Sequence, residues 1–151
     1  MFKKKGVEWL KRYLPAEVFG TITAIAAASI AHFFSTSLIL IAYAGSLGEA
    51  IGFYSTVAIQ NILVVVNKNK VESKRFNISD LVKIVVEMLF EFGIAGMIDG
   101  LILRPLFMYL FTLYLSSFTL GILLGKIAGD ITFYMLVISS YEIKKRFKKS
   151  I

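Results

Sequence analysis

The chain has no cysteine, one histidine, one tryptophan and only two prolines in 151 residues. Without cysteine there is no disulfide scaffold. One histidine and no thiolate leave too few ligands for a zinc or haem site, so no cofactor is expected. Charge is scarce as well. Asp, Glu, Lys and Arg make up 18% of the chain, against about 25% in a soluble domain. Together with what is abundant, that scarcity excludes a disordered tail, a collagenous chain and an ordinary soluble enzyme. Hydrophobic residues reach 57% and the mean hydropathy is +0.74. The class that fits is an all-α integral membrane protein.

Apolar stretches run from Val18 to Phe34, Leu38 to Val66, Ile94 to Leu115 and Phe118 to Ile143. A span needs roughly 20 apolar residues. Four transmembrane helices in two hairpins follow, with tips at Ser35-Thr36-Ser37 and Leu115-Ser116-Ser117. The first stretch is read as a retained span, not a cleaved leader, because the second hairpin supplies its counterpart. Repeat 1 covers residues 1–66, a basic linker 67–78, repeat 2 residues 79–143 and a basic tail 144–151.

The net charge of +7 would suggest nucleic acid in a soluble protein, but here its placement speaks of topology. Fifteen of the 17 cations fall on three segments that four spans put on one side. They are Lys3, Lys4, Lys5, Lys11 and Arg12; Lys68, Lys70, Lys74, Arg75 and Lys83; and Lys144, Lys145, Arg146, Lys148 and Lys149. The hairpin tips carry none. Basic short loops stay inside, so both termini are expected in the cytoplasm, with the chain in the cell membrane. No nucleic-acid partner is expected. Membrane lipid is, with anionic headgroups at the cytoplasmic face.

A shift of 80 residues aligns the hairpins without a gap. Gly20, Ile22, Ser37, Leu40, Gly45, Ile51, Phe53-Tyr54 and Val57 fall on identical residues, nine matches in 38 pairs. Such like-oriented repeats imply a pseudo-twofold axis along the membrane normal. Each hairpin follows an amphipathic segment, Gly6–Leu14 and Ser79–Phe92, read as an interfacial helix on the cytoplasmic side. Ser79 or Asp80 is the expected cap of the second. Three glycine sets have helical spacing: Gly45, Gly48, Gly52; Gly93, Gly96, Gly100; and Gly121, Gly125, Gly129. All three are read as helix-packing faces, inside the bundle or between protomers.

Seven ionisable residues lie in or near the spans: Glu17, Glu49, Glu91, Asp99, Arg104, Lys126 and Asp130. A charge at the bilayer centre costs about 2.5–3.5 kcal/mol on insertion scales, so those near mid-span must face inward and pair. Lys126 and Asp130 are four apart on one helix and can meet. Glu49 and Arg104 lack an intrahelical partner, so a pair between their helices is expected. Asp99 and Arg104, five apart, do not share an α-helical face. Pro105 removes a backbone donor beside Arg104, and a kink is expected there. The candidate site is Glu49, Arg104, Lys126 and Asp130, with Asp99 and Glu17 on its cytoplasmic approach. Tyr43, Tyr54 and Tyr134 are candidates to line it, and His32 is read as structural.

Two segments resemble known families. Leu14-Pro15-Ala16-Glu17-Val18-Phe19-Gly20-Thr21 resembles the first-helix motif of the small multidrug resistance transporters. There a membrane-embedded Glu, matched by Glu17, binds protons and cationic drugs in antiparallel dimers. The likeness stops at this segment, and the basic loops here fix a single orientation. Asp99-Gly100-Leu101-Ile102-Leu103-Arg104 resembles part of the CDP-alcohol phosphotransferase motif, which implies a two-metal site. That site needs further aspartates, and Gly96 and Tyr134 stand where two of them belong. Neither family is assigned.

The leading functional expectation is a small transporter, flippase or channel-like protein. Its charged midplane site would take an ion, a proton or an anionic lipid-linked substrate. The alternative is a non-transporting accessory subunit whose buried charges fix helix packing, and the third is an intramembrane lipid-modifying enzyme. A small bundle of this kind is expected to form a homodimer or to join a membrane complex.

Overall fold

The computed structural model describes residues 2–149, with side chains described for Val7, Leu10 to Val137 and Ser139. The side chains of Lys3–Lys5 and of the basic tail therefore lie outside the described residues. The architecture is all-α: α1 (Phe2–Phe34), α2 (Leu38–Val71), α3 (Ile78–Ile98), a π-helical turn (Asp99–Leu103), α4 (Arg104–Tyr114) and α5 (Phe118–Lys149). No strand occurs among the described residues.

The hairpin tips fall where the serines break the apolar runs. Ser37 caps α2, its hydroxyl accepting the Leu40 N–H at 3.5 Å. At the basic end α2 continues through Val71. Its 34 residues make it about 50 Å long, well beyond a hydrocarbon core of about 30 Å. In the linker Lys74 lies 2.8 Å from Glu72, and this hydrogen-bonded ammonium holds the Glu72 carboxyl below the usual carboxylate range.

Three expectations need correction here. The cap of α3 is Asn77, not Ser79 or Asp80. Asn77 Oδ1 accepts the Ile78 N–H at 2.7 Å, and Asp80 accepts the Asn77 N–H at 3.1 Å, a capping box. Asp80 also accepts from Asn69 Nδ2 at 2.9 Å, which ties the end of α2 to the start of α3. Next, the amphipathic segments are not separate helices. α1 runs unbroken through Pro15, whose fixed φ is helical and whose cost is one backbone bond. The second segment is the first part of α3. Lastly, a π turn precedes Pro105 and separates α3, ending at Ile98, from α4, so the third expected span, Ile94–Leu115, is not one continuous α-helix.

Among the described residues three helical segments are long and apolar enough to cross a membrane: Leu10–Phe34, Leu38–Val71 and Phe118–Val137. Little of their most apolar stretches is buried within the protein, 22% in each of the first two. Phe33, Phe90 and Ile94 are among many large apolar side chains left outside. An apolar surface of that extent needs lipid or protein around it.

Two of the three glycine sets hold the bundle together. A Cβ on Gly48 would come within 2.5 Å of Ala27 Cβ and 2.6 Å of the Thr23 carbonyl. One on Gly125 would lie 2.5 Å from Met108 Cα, and one on Gly121 2.6 Å from Thr112 Cα. Only glycine allows α1–α2 and α4–α5 to approach so closely, and close approach is what binds helices in lipid. The middle set behaves differently. Added Cβ atoms on Gly93 and Gly100 would meet nothing within 4 Å, whereas one on Gly96 would run into the Tyr54 hydroxyl of α2. Gly96 thus packs on α2 through Tyr54, while beside Gly93 and Gly100 the third helix stands off α2 and leaves a groove.

One end of the bundle is an aromatic cluster. Phe92 meets Phe53 edge-on at 5.7 Å between ring centres and stacks with Phe133 at 6.1 Å, and Tyr13 packs against both Phe53 and Phe92. Around the other end Ile41, Met108 and Ile122 pack with Ala24 and Ala28. His32 stacks on Phe118 at 4.7 Å. The charged residues lie between these two apolar clusters.

Candidate functional site

Arg104 is the hub. It opens α4 directly after the π turn, and only 4% of its side chain is exposed. Its guanidinium reaches three carboxylates from three elements. Nη1 pairs with Glu49 of α2, Nη2 lies 2.6 Å from Asp99 of the π turn, and the same nitrogen is 3.1 Å from Asp130 of α5. Nε also donates to Asp99 at 2.8 Å. A planar fork of donors suits this task better than a flexible ammonium.

Lys126 continues the network on α5. Its Nζ lies 2.5 Å from Asp130, one helical turn on, and 2.5 Å from Glu17 of α1. Tyr134 donates to the other Glu17 oxygen at 2.7 Å. Carboxylate oxygens of Glu17, Glu49 and Asp130 lie within 4.8 Å of one another. Lys126 already bridges two of these three acids. The assembly counts four carboxylates around two cations, so it carries two acids in excess.

All six candidate residues are therefore drawn into one cluster. The expected Glu49–Arg104 and Lys126–Asp130 pairs are both present. Two placements differ from expectation. Glu17 and Asp99 do not stand apart on an approach but contact the central cations directly. Asp99 and Arg104 do pair, although five residues apart. The reason is the π turn, whose backbone bonds run from i to i+5 and put such residues on one face. The Arg104 N–H bonds to the Asp99 carbonyl in that pattern.

Side chains that the charge pattern did not mark complete the turn. With the Arg104 N–H given to Asp99 and no N–H on Pro105, the Gly100 carbonyl loses its helical donors. Ser46 of α2, fully buried, donates to it at 2.6 Å. Tyr43, one turn earlier on α2, donates to the Leu101 carbonyl at 3.1 Å. Polar side chains of a neighbouring helix thus satisfy backbone groups released by proline, as lipid surroundings require. The available signal was Pro105 itself, together with two hydroxyls three residues apart on one face of α2.

Comparison with protein-family models, curated proteins and solved structures finds no match. The reading of the site rests on its own geometry.

Two spaces adjoin the network. A small polar cavity of about 20 Å³ is bordered by Glu17, Glu49, Asp99 and Arg104. An apolar groove of about 590 Å³ lies between α2 and α3. Ala50, Tyr54, Gly96 and Gly100 border both spaces. Nearer the basic end a second ion pair links α1 to α3, Arg12 Nη2 lying 3.0 Å from Glu91, with the Tyr13 hydroxyl donating to the same carboxylate.

Proposed function

We propose that the chain is a four-span protein of the cell membrane that carries protons or small cations past the Glu17–Glu49–Asp99–Arg104–Lys126–Asp130 network. The observation that carries this reading is the excess of acid. Both buried cations are already matched by carboxylates, and two carboxylates remain over. An anionic substrate would meet net negative charge, whereas a proton or cation would relieve it. Buried charge of this density in a membrane is expensive and is kept for function by default.

In this reading α3, the π turn and α4 together form the third crossing. The basic linker and both termini face the cytoplasm. The two hairpins are like-oriented repeats, and equivalent contacts support this: Gly45 lies against Ala28, and Gly125 against Met108, each pair 80 residues from the other. Phe53 and Phe133, also equivalent, both pack on Phe92.

The test is flux of protons and of sodium or potassium in proteoliposomes, for the wild type and for Glu49→Gln and Asp130→Asn. Transport predicts measurable flux that both variants abolish or reduce severalfold while the protein stays folded. A second reading has its own support, since Arg104 bonds α2, the π turn and α5 together. The network would then be a lock in an accessory subunit. Absent wild-type flux, or unchanged flux with lowered stability in the variants, establishes that reading and removes transport.

A further inference from the structure

We infer that the groove between α2 and α3, with the polar cavity beside it, binds a single-chain amphiphile headed by a primary ammonium. The inference rests on the reading of the network as a cation site and names the chemical class it takes.

The apolar half comes from the groove. Its volume, about 590 Å³, is within the range of ligand pockets. Its lining is aliphatic and aromatic, including Leu47, Ala58, Met88 and Phe92. The glycine face of α3 keeps it open: Gly93 and Gly100 look onto space that any side chain would narrow. Plain lipid contact would explain an apolar groove, but not one that shares four bordering residues with a charged cavity. An occupant that fills both must be apolar along its length and polar at one point.

The head follows from charge and size. Asp99 is 3% exposed and its Oδ1 is buried without a hydrogen-bond donor. A buried carboxylate oxygen left without a partner is unfavourable and calls for a donor. Glu17 and Glu49 border the same cavity, and the network has two acids in excess, so the donor is best cationic. The cavity of about 20 Å³ has room for one water-sized group, since a water needs roughly 10–15 Å³. A primary ammonium is of that size. A trimethylammonium, a phosphate or a carboxylate head is too large, of the wrong sign, or both.

The experiment is native mass spectrometry of the full chain released from nanodiscs, with tetradecylamine, tetradecyltrimethylammonium and tetradecanoate as probes. One tetradecylamine per chain is expected, bound at least about tenfold more tightly than either other probe. Gly93→Trp fills the groove where no protein atom stands and should cut binding by a similar factor while circular dichroism stays helical; Gly93→Leu is the smaller version. Asp99→Asn should weaken the amine alone and leave the other two probes unchanged. Equal binding of the trimethylammonium probe overturns the inference, as does undiminished amine binding in a folded Gly93 variant or no amine binding at all. Flux that depends on Glu49 without amine binding would leave the transport reading standing and remove this one. Amine binding without any flux would do the reverse.

Discussion

Asp99 and Arg104 face each other across one π turn, with Arg104 Nη2 2.6 Å from Asp99 Oδ2. The turn makes the contact, and Ser46 helps to hold the turn through the Gly100 carbonyl. Ser46→Ala should therefore cost about 1–3 kcal/mol, the range for a buried group left without a partner. Pro105→Ala restores an N–H that can reach the Gly100 carbonyl by the i to i+5 pattern. In that background the Ser46→Ala penalty should shrink by at least half. Unfolding of the four proteins of this cycle in one detergent measures it, and strictly additive effects would show that the hydroxyl and the proline are unconnected.

Arg104→Met leaves Glu49 and Asp99 facing each other without the guanidinium between them. Breaking a buried pair by removing one partner costs about 3–5 kcal/mol, whereas replacing the whole set can be neutral. Arg104→Met should thus be severely destabilising. Adding Glu49→Gln and Asp99→Asn should recover most of the loss. Arg104→Lys should rescue poorly, because an ammonium cannot span three carboxylates from three elements. A mild effect of Arg104→Met in detergent unfolding would show that water, not protein, solvates these groups.

Parts of this arrangement were legible before the fold was known. The serine tips interrupt apolar runs, and helix breaks follow them closely. Lys126 and Asp130 sit at the spacing that α-helical geometry brings together, and Glu49 falls to Arg104 because each lacks an evident partner on its own helix. The Asp99–Arg104 contact is not legible in this way, because it depends on a local change of helical pitch that residue spacing cannot express. The glycine sets show the same limit. Spacing identifies a smooth helix face, but whether a neighbour fills it depends on how far apart two helices are held. Gly48 and Gly125 met a neighbour; Gly93 and Gly100 did not.

That difference predicts opposite outcomes for the same substitution. Gly48→Ala and Gly125→Ala each drive a methyl group to about 2.5 Å from a neighbouring carbon. Overpacking of this kind typically costs about 1–3 kcal/mol. Gly93→Ala meets open space, and an alanine within a helix is favoured over glycine by about 0.5–1 kcal/mol. The first two variants should lower the melting temperature in a given detergent and the third should leave it unchanged or raise it. Equal losses at all three positions would mean that the α2–α3 groove is closed in the membrane.

The native absence of cysteine makes topology directly testable, since any thiol label reports only the residue introduced. Thr36 lies at the tip between α1 and α2, and Asn69 near the basic end of α2. The segregation of fifteen cations predicts that the basic end faces the cytoplasm. In intact cells Thr36→Cys and Ser116→Cys should react with a membrane-impermeant maleimide, while Asn69→Cys should react only after lysis. The two tips should agree, because His32 beside the first stacks on Phe118 beside the second. Labelling at Thr36 without labelling at Ser116 would mean that α3 and α4 do not cross, leaving three spans and the termini on opposite sides. Such a result would remove the four-span reading and require the His32–Phe118 contact between the tips to open.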